Sequence, residues 1–240
     1  MSEATRLLVD PAEPDDTVTG GFTNPVAIFN YLSPSAWVND IIEKASGVDI
    51  FGLATDAFTG EWAALYKFGD ALGNLAPFLQ EVGVNIQSGV LRLDQTWDGN
   101  AADAAVNYFT TLAAATSRQQ DALYECAKGY RDAARGAWQL SDQLGNLLQA
   151  IVDKAILAGI AMAAGTATAE TVIGGVVGYG MAAYQAMEIL ELVNKASTII
   201  NTAGSVIMGL FGTGMIVSGE GGDLSAAVPL PSAAYAPPGA

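Results

Sequence analysis

An all-α fold is predicted by three observations. Apolar residues recur at steps of three and four over two long stretches, 58–93 and 105–151. Alternation of the strand type is scarce along the chain. Between the two stretches sits a short interruption, Trp97-Asp98-Gly99, of the kind that turns one helix back on another.

Residues 1–24 hold five acids and two prolines and read as a flexible arm. The region 25–154 follows, holding short helices and then the hairpin. In "LSPSAW" Ser33 caps a helix and Pro34 occupies its first turn; Gly47-Val48-Asp49 ends it. The first long stripe runs through Phe58, Trp62, Leu65, Gly69, Leu72, Leu75, Leu79, Val82, Ile86, Val90 and Leu93. Pro77 lies inside it. An interior proline removes a hydrogen bond and costs about 3 kcal/mol, so a kink or break is expected near Asn74.

The second stripe steps through Ala105, Tyr108, Leu112, Ala115, Gln119, Ala122, Cys126, Tyr130, Ala133, Ala137, Leu140, Leu144, Leu147 and Ile151. A helix running from just after Gly99 to the end of this stripe is roughly 80 Å long. Two such stripes joined by a short turn fold back as an antiparallel hairpin. Cys126, the single cysteine, then falls on the inner face as a small buried residue.

Residues 155–219 are rich in Ala, Gly, Val and Ile, and only Glu170, Glu188, Glu191 and Lys195 are charged. A tight hairpin turning at Gly165–Glu170 is expected, with Gly174 and Gly178 at the spacing that lets helices approach closely. Two readings compete. The region wraps the long hairpin and buries its open stripe, which is the favoured one, or it enters a membrane. Residues 220–240 form a Pro/Ala/Gly tail expected to be disordered.

Chemistry is bounded by what is missing. There is no histidine, so Ser/His and Cys/His nucleophile pairs are excluded and the commonest zinc ligand is absent. No phosphate-binding P-loop occurs and no carboxylate pair stands out in an apolar setting. No enzyme activity, metal or cofactor is therefore expected. The net charge of −15 repels phosphate backbones, which argues against nucleic acid, and leaves no basic patch for anionic lipid. The N-terminus "MSEATRLLVDPAEPDDT" is not a signal peptide.

In the turn, Gly99 can adopt a left-handed backbone, Asn100 or Asp98 can cap the next helix, and Trp97 offers a large apolar face. A long helix, this W-x-G turn and a second Ala-rich helix resemble the WxG family of type VII (ESX-like) secretion substrates. The likeness extends to "VNDIIEKASGVDIFG", "GEWAALYKFGDALGNL", "TWDGNAADAAVNYF" and "GTATAETVIGGVVGYGMAAY", covering about residues 38–212. It looks like larger actinobacterial members, which carry the hairpin inside a longer chain, often upstream of a toxin domain. The resemblance implies a protein made in the cytoplasm and exported by a membrane ATPase without a cleaved signal. It implies pairing with a small W-x-G protein or with a second copy. It also implies an export signal of the form Y-x-x-x-D/E. Tyr184 and Glu188 in "YQAME" fit downstream of the hairpin; Tyr66 and Asp70 in "YKFGD" fit within its first helix. Neither directly follows the hairpin, which departs from the family pattern. Two other functions stay open: a membrane-active or pore-forming protein using residues 155–218, and a structural self-association module.

Overall fold

The computed structural model describes residues 3–14, 22, 36–58, 60–167 and 172–220. The chain is all-α, with no strand among the described residues. After a 3-10 turn at Ala4–Leu7 come α1 (Ala36–Ser46), α2 (Ile50–Phe58), α3 (Trp62–Asp94), α4 (Asn100–Ala167) and α5 (Val172–Glu220). The expected Ser33 cap, Pro34, Glu170 and the tail 221–240 lie outside the described residues.

The chain divides into two compact units. One comprises Met1–Glu13, Ala64–Asp132 and Gly209–Ala240, the other Pro14–Ala63 and Ala133–Met208.

In the first unit α3 packs along the first half of α4. A Cβ on Gly69 would lie 2.9 Å from the Ala127 carbonyl, and one on Gly83 would lie 2.7 Å from the Ala113 carbonyl. Rising numbers in α3 meet falling numbers in α4, so the two run antiparallel. The buried positions of α3 here are Gly69, Ala76, Gly83 and Val90, each seven residues from the last. That period belongs to a coiled-coil seam. Leu72, Leu75, Leu79, Val82 and Ile86 flank it half-buried. Phe68 meets Tyr130 edge to face at 4.9 Å.

Two details of the first stripe are corrected. Phe58 belongs to α2, and the chain leaves the helical path before restarting at Trp62. No break occurs at Asn74: α3 runs through Pro77. The carbonyl deprived of its helical partner is that of Gly73. Ala76 is fully buried beside it and Ala127 lies opposite, so packing holds the turn that proline weakens.

In the second unit α1 ends at Ser46. Gly47 takes φ +73° and its N–H bonds to the Glu43 carbonyl, a left-handed C-terminal stop. Asp49 then starts α2: its carboxylate accepts from the Gly52 N–H at 3.0 Å and its carbonyl from the Leu53 N–H. α2 buries Ile50, Ala54 and Phe58 on one face; α1 buries Val38 and Ile42. α4 contributes two series with a period of seven, Ala134-Ser141-Leu148-Ala155 and Ala137-Leu144-Ile151-Ala158, all buried. α5 answers with Ala182, Ile189, Ala196 and Ala203.

α5 also returns antiparallel to α4 in this unit. Val206 faces Gly136, and Gly178 faces Gly165. A Cβ on Gly178 would lie 2.5 Å from Gly165 Cα and 2.7 Å from its N, which is backbone and cannot swing away. Gly178→Val is therefore expected to cost about 1–3 kcal/mol through forced helix separation. At Gly180 nothing lies within 4 Å. There Gly180→Ala is expected to gain up to about 1 kcal/mol from helix propensity alone. Opposite shifts in melting temperature for the two variants check the assignment.

Part of the region 155–219 is buried, at Ala155, Ala158, Ala182, Ile189, Val193, Ala196 and Ala203, and part is not. Beyond Lys154, Leu157, Ile160, Val176, Val177, Met181 and Met187 are exposed. α4 is the one described helix long and apolar enough to cross a membrane. Its most apolar 18 residues have mean hydropathy 1.7, and 22% of them are buried.

Candidate functional site

The W-x-G turn lies in the first unit. α3 ends at Asp94, and the Leu93 carbonyl accepts from both the Thr96 and Trp97 N–H groups at 3.0 Å. Gly99 takes φ +102°, a conformation side chains resist, and its carbonyl accepts from the Asp103 N–H at 3.1 Å. Gly99 itself is thus the residue that opens α4. Asn100 is already the first helical residue, so the expected cap at that position is corrected to glycine. Asp103 in the first turn suits the positive end of the helix. Trp97, in the turn between the two helices, is 41% exposed.

Tyr184 and Glu188 lie one turn apart on α5 in the second unit. The Tyr184 hydroxyl donates to Glu188 Oε1 at 2.8 Å. The other carboxylate oxygen, Oε2, pairs with the Lys154 ammonium of α4. The Lys154 hydrogen bond, then that of Tyr184, holds the Glu188 carboxyl below its usual range. Donation to Glu188 and its charge push the Tyr184 phenol up. The same carboxylate raises Lys154. The result is a three-residue clasp between α4 and α5, with the Tyr184 ring 57% exposed.

Lys154 was missed in the sequence, though a signal was there. It is the last charge before the uncharged stretch and Glu188 is the first on α5 after the turn. A hairpin pairs residues equidistant from its turn, which brings these two together.

Tyr66 and Asp70 sit on α3 in the first unit. The Asp70 carboxylate accepts from the Ala12 N–H at 2.7 Å and from Asn74 Nδ2 at 3.4 Å, and pairs with Arg131 of α4 at 3.5 Å. Asn74 also donates to the Val9 carbonyl, and Lys67 pairs with Glu13. Part of the stretch read as a flexible arm thus lies along α3. Asp70→Ala is expected to lower stability by about 1–2 kcal/mol, since a partly buried arginine and a backbone N–H lose their acceptor. Limited proteolysis should then cut faster around residues 9–14 than in wild type.

Cys126 is half-buried on α4, and burial together with the Glu125 carboxylate pushes its thiol up, away from the reactive thiolate. Among the described residues no group of three or more cysteines and carboxylates is arranged to hold a metal. Comparison with family models, curated proteins and solved structures returns no match for the chain.

Proposed function

We propose that this chain is a non-catalytic substrate, or the delivery portion of an effector, of a type VII (ESX-like) secretion system. The observation that carries the reading is the half-exposed Trp97 at a glycine-opened turn between two long helices. A packed turn needs no tryptophan left open to solvent, whereas a recognition surface does. Tyr184 and Glu188 supply the Y-x-x-x-E export signal; their side chains already share one helix face and one hydrogen bond. Tyr66 and Asp70 are the weaker pair, because Asp70 is engaged by Ala12, Asn74 and Arg131.

The first unit acts by association. Phe68, Val84, Leu91, Phe109 and Tyr124 are exposed there, and the leucines flanking the α3 seam are only half-buried. Their apolar area, worth about 25 cal/mol per Å2 on burial, favours a small W-x-G partner or a second copy. The membrane ATPase of the secretion machine is the other partner. In this reading the chain is made in the cytoplasm and works outside the cell or in its envelope.

The test compares culture medium from cells with a working type VII ATPase and from cells in which it is inactivated. The tagged chain should reach the medium only in the first. Equal amounts in both media, or retention in both, would remove the reading.

A further inference from the structure

In the first unit residues 9–13 lie across one face of α3. The Asn74 side-chain amide donates to the Val9 carbonyl at 3.3 Å, and the Asp70 carboxylate accepts from the Ala12 N–H at 2.7 Å. The Lys67 ammonium pairs with the Glu13 carboxylate. Rising numbers in the segment meet falling numbers in the helix. Residues 67 to 74 of a helix rise about 10 Å, and residues 9 to 13 of an extended chain span at most about 14 Å, so the two match when the segment is extended. Its sequence favours that shape. Pro11 fixes its own φ and pushes Asp10 toward the extended region, so less conformational freedom is lost on docking.

What holds the segment is polar and shallow. Every residue from Leu7 to Glu13 is exposed, so none of their apolar side chains serves as an anchor. The Glu13 side chain is 78% exposed and that of Lys67 37%, which leaves their pair open to screening by salt. What the segment closes is Asp70. Arg131 of α4 takes its Oδ1, while the Ala12 N–H and the Asn74 amide take its Oδ2. The Asp70 side chain is left 18% exposed. Tyr66 lies one turn earlier on the same helix.

We propose that residues 9–13 are an autoinhibitory strap. Docked, the strap closes the Tyr66–Asp70 pair to a partner that reads an aromatic ring and a carboxylate one helical turn apart. Released, it frees Asp70 Oδ2 and the Lys67 ammonium. The inhibitory role rests on the export-signal reading of Y-x-x-x-D/E given above; the docking and release of the strap do not. Release is governed by the Glu13–Lys67 pair, the one contact among the three between two full charges.

The experiment labels the carboxyl groups of the full chain with a carbodiimide and an amine. Asp70 is read by mass spectrometry against the exposed Asp103. In wild type Asp70 should label slowly at low salt and faster at high salt. Glu13→Lys should raise the Asp70 rate roughly two- to fivefold, the weight of one exposed ion pair. Adding Lys67→Glu to it rebuilds the pair with its signs exchanged and should restore protection. Circular dichroism should be the same for all three chains. Asp70 labelling that responds neither to salt nor to Glu13→Lys overturns the strap. Export is then compared in chains that carry Tyr184→Ala, whose other candidate signal is removed. There Glu13→Lys should restore export severalfold, and Lys67→Glu added to it should abolish the gain. An opened Asp70 with no gain of export overturns the inhibitory role. Failure of wild type to be exported, or full export of Tyr184→Ala alone, counts against the secretion or signal reading above, and the labelling then decides the strap by itself.

Discussion

Trp97→Ala is expected to reduce export to background while leaving the protein folded. A fully buried tryptophan would cost about 3–5 kcal/mol on truncation. Trp97 is 41% exposed at the end of α3, so about 1 kcal/mol, or a fall of a few degrees in melting temperature, is expected instead. The contrast is Gly99→Ala. Nothing lies within 4 Å of a Cβ at Gly99, so space is not the obstacle; the φ of +102° is. Holding alanine there costs roughly 1–3 kcal/mol of backbone strain, and α4 loses its start. Gly99→Ala should therefore lower the melting temperature more than Trp97→Ala, while Trp97→Ala should lower export more. Secretion of each variant beside its melting curve decides. Wild-type export of Trp97→Ala would make the residue architecture only.

The second large effect is expected at the clasp. Tyr184→Ala and Glu188→Ala should each block export with only small changes in melting, since both side chains have solvent as an alternative partner. Lys154→Met separates signal from clasp: it frees Glu188 Oε2 yet keeps the Tyr184–Glu188 pair, so export should be at least that of wild type. If all three variants export normally, the signal lies elsewhere or on a partner chain. The clasp also has a pH signature. Glu188 is held below its usual range, so its contribution is present above the unfolded carboxyl value and lost as pH falls through the lowered folded one. Tyr184 and Lys154 are both shifted up and stay protonated across that window. The melting difference between wild type and Glu188→Gln should hence persist through mildly acid pH and vanish only in strong acid.

Several features were legible from residue types because their causes are local. The helices follow from three-four spacing, and the stop at Gly47 and the turn at Gly99 follow from the one residue that accepts positive φ. α2 was not recognised, although its marks were present: a left-handed glycine at 47, then Asp49 three residues before the N–H it caps. The pair Tyr184–Glu188 was visible as an i,i+4 spacing, but its third member Lys154 comes from another helix.

What the sequence determined by itself is the all-α class, the two long stripes and the Trp-x-Gly interruption between them. These rest on backbone conformation and helical period, which each segment carries without reference to its neighbours. What only the tertiary structure decided is which residues meet. In α3 the innermost positions of the first unit are Gly69, Ala76, Gly83 and Val90, while the leucines of the same stripe sit half-buried at its flanks. Hydrophobic period marks a side of the helix, but the distance between two backbones is set by the smallest residues in contact, here glycine against the Ala113 and Ala127 carbonyls. Tertiary packing likewise carried α3 through Pro77, engaged Asp70 with residue 12 and Arg131, and left Leu157, Ile160, Val176 and Val177 of α4 and α5 exposed. Each of these depends on what a second segment does, and no single segment encodes it.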